Sequence, residues 1–233
     1  MEIEGNLVGG RFVSRDNRFR VTVEVGGRPV WAHLPCSGRL AELLVPGRRV
    51  VLVERAAPGR KTDYDMNLVE LEGRWVSVDA RQPNDLVEEA LAADKLAPLA
   101  GYASVRREVA YGRSRLDFLL NAAGRRRCLV EVKSVTLVVD GLGCFPDAVT
   151  LRGRRHLEEL ASAVEAGYRA VVVFVVQRED ACGVRPHDES DPGFGRTLRK
   201  VAGCGVEVLA YRCRVEPGRI EIDRAVPVYL DEA

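Results

Sequence analysis

The chain has 233 residues, of which 46% are hydrophobic and 30% are charged. This composition is typical of a soluble globular protein with one large domain or two modest ones. Lysine and arginine total 35 against 34 acidic residues, for a net charge of +1. A global basic field is therefore excluded, and any nucleic-acid contact must depend on local patches.

Targeting and cysteine patterns point to the cytoplasm. The first residues lack the apolar segment of a secretory signal, and the longest apolar run, 170–176, is too short to span a bilayer. None of the six cysteines forms a Cys-x-x-Cys pair, so a zinc site is not expected. We expect a cytoplasmic protein with reduced thiols and no membrane partner.

The first eighty residues predict an all-β domain. Residues 19–25 alternate apolar and polar side chains, Gly26-Gly27 supplies a hairpin turn, and 30–34 returns as a second strand. Further strands are predicted at 49–54, 66–71 and 74–78, and a short helix at 38–44. Short strands with regular turn signals indicate an OB-like β-barrel, which we assign to residues 1–82.

The remainder, residues 83–233, predicts an α/β domain with a mixed sheet. A helical connector at 84–97 can be capped by Asn84. The predicted strands are 108–111, 115–121, 128–139, 169–177, 206–215 and 219–223, and the predicted helices are 152–166 and 193–202. The continuously apolar run 170–176 is typical of a central strand that is covered on both faces.

Charged residues interrupt two of these apolar strands. Glu131 and Lys133 point to the same side of their strand because side chains alternate between faces. If the strand of Asp117 pairs beside it, two carboxylates and one ammonium lie together. Such groups cost free energy unless they are paired or bind a metal, and Asp117 and Glu131 could hold Mg²⁺ or Mn²⁺. Glu108 could add a third carboxylate, and the alternative for all of them is ordinary cross-strand pairing or solvation.

Candidate nucleic-acid contacts occur at two places. Trp31, His33 and Arg39 surround the end of a barrel strand, where OB-type barrels combine stacking and cationic residues. Arg152 and Arg155 begin a helix, where positive charge opposes the helix dipole. Phosphate contact would explain these two arginines, and solvated surface arginines are the alternative.

Five long motifs, in order, carry a family resemblance. They are HLPCSGRLAELLVPG (33–47), SRLDFLL (114–120), CLVEVKSVTLV (128–138), FPDAVTLRGRRHLEEL (145–160) and GVEVLAYRC (205–213). Over nearly its whole length the chain resembles the sugar fermentation stimulation protein A family. One departure is Cys36, which stands where that family usually has asparagine.

The resemblance implies an OB-like domain followed by a domain similar to the PD-(D/E)XK nucleases of the restriction-endonuclease-like group. It also implies DNA binding linked to the regulation of sugar utilisation. The positions that match the metal-binding and catalytic residues of those nucleases are Asp117, Glu131 and Lys133, and Glu108 fits the upstream acid.

Together these observations predict a DNA-binding protein with a Mg²⁺-dependent nuclease site. Single-stranded or branched DNA is one substrate option, and the sequence leaves open both the strandedness and the choice between DNA and RNA. One alternative is a non-catalytic DNA-binding regulator with an idle nuclease fold. Another is a small-molecule-binding protein. The oligomeric state is left open by the sequence, with a homodimer as one option.

Overall fold

The computed structural model describes residues 1–55 and 57–231 of the chain. Its N-terminal part is a β-barrel. The strands are β1 (Leu7–Asn17), β2 (Arg20–Val25), β3 (Arg28–His33), β4 (Arg49–Glu54), β5 (Tyr64–Leu71) and β6 (Arg74–Ser77). They follow the order β3-β2-β1-β4-β5-β6, and a parallel pairing of β3 with β5 closes the barrel. The predicted barrel is thereby confirmed.

Strand β1 was not predicted because its sequence lacks an alternating pattern. Phe12 is its only fully buried side chain. Gly10 is required there by close packing, since a Cβ at this position would lie 2.6 Å from the Val23 side chain and 2.9 Å from the Glu24 carbonyl. Two glycines and several charged residues therefore conceal a strand that pairs with β4 without interruption and with β2 through two register shifts.

The helix predicted at 38–44 is wrong. The segment forms only a turn at residues 41–43. Leu40 adopts a positive φ of 50°, which a helix does not accommodate. Its carbonyl accepts from the amides of Leu43 and Leu44, and the apolar spacing of the segment reflects burial of Leu40 and Leu43 in the barrel core.

The C-terminal part is a mixed six-stranded sheet with helices on both faces. Its elements are α1 (Gln82–Ala92), a 3₁₀ turn (Ala97–Leu99), β7 (Ser104–Tyr111), β8 (Ser114–Asn121), β9 (Cys128–Val135), α2 (Leu151–Glu165), β12 (Arg169–Val176), α3 (Pro192–Gly203), β14 (Glu207–Glu216) and β15 (Arg219–Ala225). The strand order is β15-β14-β12-β9-β8-β7, with β9, β12 and β14 parallel. Packing of α1 on one face and of α2 and α3 on the other gives two core layers.

Several boundaries in this part differ from the predictions. The strand predicted at 108–111 begins at Ser104, and the connector helix predicted at 84–97 ends at Ala92. The strand predicted at 128–139 ends at Val135, and a separate small sheet contains β10 (Val138–Val139), β11 (Leu142–Phe145) and β13 (Gly183–Pro186). The predicted cap Asn84 is wrong, because α1 begins at Gln82 and Asn84 lies inside it.

One hydrophobic cluster spans the barrel and the α/β part. Val51, Val53 and Leu68 of the barrel belong to the same cluster as Leu86 of α1 and Val130 of β9. The boundary after residue 82 stays a prediction. No helix in the described part of the chain is long and apolar enough to cross a membrane.

The N-terminal residues pack on the C-terminal part. The amide of Ile3 donates to the Gly218 carbonyl at 2.8 Å, and the Met1 ammonium donates to the Ile220 carbonyl at 3.0 Å. Across the other end of the barrel, the Ser77 amide donates to the Gln177 carbonyl at 3.0 Å. The first two bonds hold the N-terminal residues on the β14–β15 hairpin, and the third fixes β6 of the barrel against the residue that follows β12.

Candidate metal and catalytic site

The site lies where strands β8 and β9 separate. Their ladder pairs Phe118 with Val130 but stops before Asp117. Beyond that point a side chain replaces the backbone partner of β9, because Asp117 Oδ2 accepts from the Val132 amide at 2.7 Å. Its Oδ1 accepts from Asn84 Nδ2 at 2.9 Å. Helix α1 therefore orients this carboxylate, a contact that the sequence analysis missed.

Glu131 and Lys133 point to the α2 side of β9, as their alternation predicts. Lys133 Nζ donates to Glu131 Oε1 at 2.5 Å, and both side chains are buried. His156 Nδ1 lies 2.5 Å from the same oxygen. The other oxygen, Glu131 Oε2, is buried and has no hydrogen-bond partner among the described residues. A buried carboxylate oxygen without a partner is costly, and a cation is the ligand that would satisfy it.

His156 connects the site to Arg152. Arg152 Nε donates to His156 Nε2 at 3.3 Å. Because a guanidinium only donates, Nε2 must accept, so the ring proton is on Nδ1 and faces Glu131. The sequence analysis did not include His156 among the candidate site residues. The one local signal for its role was the Arg152–His156 spacing of four positions on a helix.

The pKa values of the two carboxyl groups are shifted in opposite directions. Burial, followed by the charge of Glu131, raises the pKa of Asp117 to about 6. Burial also acts to raise the pKa of Glu131, but Lys133 and the hydrogen bond from His156 outweigh it and keep that pKa below its usual value. At neutral pH Glu131 is a fixed anion, and Asp117 ionises only against its repulsion.

Glu108 is not brought into this group. It lies across from Asp117 on β7 with a positive φ of 57°, but its exposed side chain pairs with Arg115 Nε at 2.7 Å. Among the residues that the structure describes, no three His, Cys, Asp or Glu side chains are placed to hold a metal ion together.

The predicted arginines on α2 lie at the edge of the site. Both are exposed. Arg152 reaches Glu131 through His156, and Arg155 Nε donates to Ser114 Oγ at 3.3 Å. Thr150 caps the helix by accepting from the Gly153 amide at 3.0 Å, which fixes the start of the helix that carries both arginines.

The predicted barrel residues lie on an aromatic and cationic surface. Trp31 is 54% exposed, and the Arg20 guanidinium lies 4.6 Å from its ring centroid. His33 Nδ1 lies 3.0 Å from the Phe19 carbonyl, and Arg39 is exposed in the loop that follows. Phe19 is itself 45% exposed and was missed as a candidate. We call these five residues the barrel surface.

The residues present fit a divalent cation. Each carboxylate oxygen has two lone pairs, so the hydrogen bonds to Asp117 leave it able to ligate, and Glu131 Oε2 is entirely free to do so. Mg²⁺ is commonly held by one or two carboxylates, with water and phosphate oxygens as the remaining ligands. Two carboxylates beside an ammonium match that pattern.

The raised pKa of Asp117 predicts a pH-dependent stability. Because the folded state prefers the protonated acid, Asp117 contributes stability below its ordinary pKa near 3.8 that is lost as the pH rises through about 6. The loss is about 2–3 kcal/mol. Urea unfolding of the wild type and Asp117→Asn at pH 4 and 7.5 measures it, since the variant should become relatively more stable at the higher pH.

Saturating Ca²⁺ should abolish this pH effect, because a bound cation favours the ionised carboxylate. A stability difference between the two proteins that is the same at pH 4 and pH 7.5 without Ca²⁺ would contradict the raised pKa, and a pH effect that persists in saturating Ca²⁺ would contradict cation binding at Asp117.

Comparisons with known proteins agree with this fold. A family model described as the sugar fermentation stimulation protein RE domain matches residues 81–219, and another, the SfsA N-terminal OB domain, matches 13–78. The sugar fermentation stimulation protein homolog of Moorella thermoacetica is 47% identical over 231 residues, which cover 99% of this chain and 100% of that protein. The homolog of Chloroflexus aurantiacus is 47% identical over 227 residues, which cover 97% of this chain and 87% of that protein.

A solved structure is also similar, that of Pyrococcus furiosus SfsA in complex with Ca²⁺. It superimposes with a TM-score of 0.91 and 30% sequence identity, covering 98% of both chains. The predicted fold class is thereby confirmed: an OB-like barrel followed by a restriction-endonuclease-like mixed-sheet α/β domain.

Proposed function

The chain belongs to the sugar fermentation stimulation protein family, and from this premise we propose that it is a DNA-binding protein with a metal-dependent phosphodiesterase site. The observation that carries the proposal is the buried, partnerless Oε2 of Glu131, whose carboxylate is bonded to Lys133 through Oε1 and lies close enough to Asp117 for its charge to raise the pKa of Asp117. This buried carboxylate has one oxygen free to ligate a cation, and a second carboxylate and an ammonium lie nearby. Such a set of groups suits a divalent cation that also binds a phosphate oxygen of the substrate.

In this proposal Asp117 and Glu131 hold Mg²⁺ or Mn²⁺. When bound, such a cation lowers the pKa of water and offsets the charge of the attacked phosphodiester. The Pyrococcus protein was solved with Ca²⁺, and the same ion type suits the oxygen ligands of this chain.

The chain's own residues supply orientation and charge. Asn84 and the Val132 amide fix Asp117, while His156 and Lys133 fix Glu131. Lys133 keeps its ammonium beside the carboxylate, where it can bind a phosphate oxygen and stabilise the charge that develops during attack. Glu108 would join only by leaving Arg115.

DNA is the substrate that the chain's surfaces favour. The barrel surface combines exposed rings with guanidinium groups, which suits stacked bases and phosphates of a single strand. Arg152 and Arg155 lie at the edge of the site and supply phosphate contacts there. Because the net charge is only +1, binding depends on these local groups.

A second candidate is a DNA-binding regulator of sugar utilisation that does not cleave. Lys133 is only 9% exposed and already bonded to Glu131, as in a structural ion pair. In that case the partnerless Oε2 has no catalytic purpose, and DNA binding should proceed without metal.

Incubation with DNA distinguishes the two. Single-stranded, duplex and branched DNA, and RNA, are each incubated with Mg²⁺ or Mn²⁺ beside Lys133→Ala and the exposed-lysine control Lys200→Ala. We expect cleavage by the wild type and the control and a loss of at least about 100-fold in Lys133→Ala. Cleavage that is absent, or equal in Lys133→Ala, would overturn the phosphodiesterase proposal.

Trp31→Ala is expected to weaken binding of single-stranded DNA about tenfold, because one base loses its stacking partner. Fluorescence anisotropy at several salt concentrations measures the affinity. Tyr229→Ala removes an equally exposed aromatic ring from the other part of the chain and should have no effect. Equal affinities of wild type and Trp31→Ala would remove this ring from the DNA-binding surface.

A further inference from the structure

A pocket lies between the barrel and the α/β domain, directly beside Lys133. Its cavity volume is about 200 Å³. Ser37 and Gly38 line it from the barrel loop that follows β3, and Ser134, Phe145 and Asp147 line it from the other domain. Because Lys133 belongs both to this pocket and to the candidate catalytic site, a ligand in the pocket would adjoin the phosphate bound there.

The pocket is held rigidly from both sides. Arg15 Nη1 donates to the carbonyls of Gly38 at 2.7 Å and Arg39 at 2.9 Å, which fixes the loop. A Cβ on Gly38 would overlap the Asp147 carboxylate, so any larger residue requires that side chain to shift. On the α/β side, the fully buried Gln177 donates to Ser134 Oγ at 2.9 Å, which fixes this lining residue.

The lining chemistry favours a nucleobase over a second phosphate. Phe145 offers an apolar wall, whereas the Asp147 carboxylate repels phosphate but can accept hydrogen bonds. Its one hydrogen bond to a neighbouring amide, from Leu40, is long at 3.4 Å, so both oxygens keep acceptor capacity. Carboxylates pair with exocyclic amino groups of bases, as with N4 of cytosine.

The path of a bound strand leads to the same place. Trp31 lies on β3, and the loop that lines the pocket follows that strand after three residues. A single strand stacked on the barrel surface would run along this loop to reach Lys133. A base inside a duplex could not enter such a pocket without leaving the stack.

We propose that this interdomain pocket receives one unpaired nucleobase next to the cleaved phosphodiester, and that Asp147 selects a base with an exocyclic amino group there. The inference rests on the proposed function and specifies its substrate as single-stranded or unpaired DNA. Thymine, which offers carbonyl oxygens at the corresponding edge, is disfavoured by the carboxylate.

Binding of oligo-dC and oligo-dT by the full-length protein tests the proposal. Fluorescence anisotropy with Ca²⁺ reports affinity and needs no cleavage. We expect the wild type to bind oligo-dC about tenfold more tightly than oligo-dT, and Asp147→Asn to reduce this ratio to about two or less. The ratio is the readout because removing a negative charge strengthens binding to any polyanion. Asp140→Asn, an exposed aspartate in a turn, should keep the wild-type ratio.

A second variant acts on the geometry without touching the carboxylate's chemistry. Gly38→Ala must displace Asp147 and should also abolish the preference for oligo-dC, whereas Gly203→Ala has no neighbour within 4 Å of the new methyl group and should retain it. Equal wild-type affinities for both oligonucleotides, or a preference that survives Asp147→Asn, would overturn the pocket assignment alone. Failure to bind either oligonucleotide would overturn the DNA-binding proposal as well.

Discussion

Glu131→Gln is expected to abolish both cation binding and cleavage and to destabilise the protein by about 3 kcal/mol. The amide cannot offset the Lys133 ammonium, which would remain buried without its anion. It would also remove the one free carboxylate oxygen of the site. Urea unfolding, calorimetric titration with Ca²⁺ and the DNA cleavage assay measure the three effects.

The double variant Glu131→Gln/Lys133→Met separates stability from function. Removing both charges of a buried pair is often neutral for stability, so we expect most of the lost free energy of unfolding to return. Cation binding and cleavage should stay absent, because neither the anion nor the ammonium is restored. A stable double variant that still cleaves DNA would show that this pair is not part of the catalytic site.

His156→Ala is expected to lower Ca²⁺ affinity about 10- to 100-fold, the usual cost of losing a residue that orients a metal ligand. Its Nδ1 holds Glu131 Oε1, so without it the carboxylate can rotate and the alignment of Oε2 is lost. His156→Asn should recover most of the affinity, since its amide nitrogen can take the place of Nδ1. His156→Gln should recover less, because its amide lies one bond farther from the helix.

This graded series distinguishes orientation from general stability. Both amide variants fill the space of the ring to a similar degree, so a purely structural role would place their Ca²⁺ affinities together. Equal affinity in all three variants and the wild type would contradict a positioning role for His156.

Strand periodicity determined the part of the site that lies on one element. Alternation along β9 places Glu131 and Lys133 on the same face, and the structure has them there, 2.5 Å apart. The same reasoning found most strands of the barrel and the buried central strand β12. It failed at β1, where glycines and charged residues hide a strand that exists because its neighbours pair with it.

The partners that orient the two carboxylates come from distant positions. Asn84 reaches Asp117 across 33 positions, and His156 reaches Glu131 across 25. Local patterns gave Asn84 the role of a helix cap and did not single out His156. Their contacts depend on which helix covers which face of the sheet, and residue spacing along one element carries no information about that.

By itself, the sequence determined the two-part architecture, the face shared by Glu131 and Lys133, and the family to which the chain belongs. Only the tertiary structure decided that Asp117 replaces a ladder bond, that Glu108 turns to Arg115, and that a barrel loop meets Asp147 across 107 positions. The physical reason is that side-chain direction repeats with the local backbone, whereas burial, ionisation and partnerless oxygens arise when separate elements pack together.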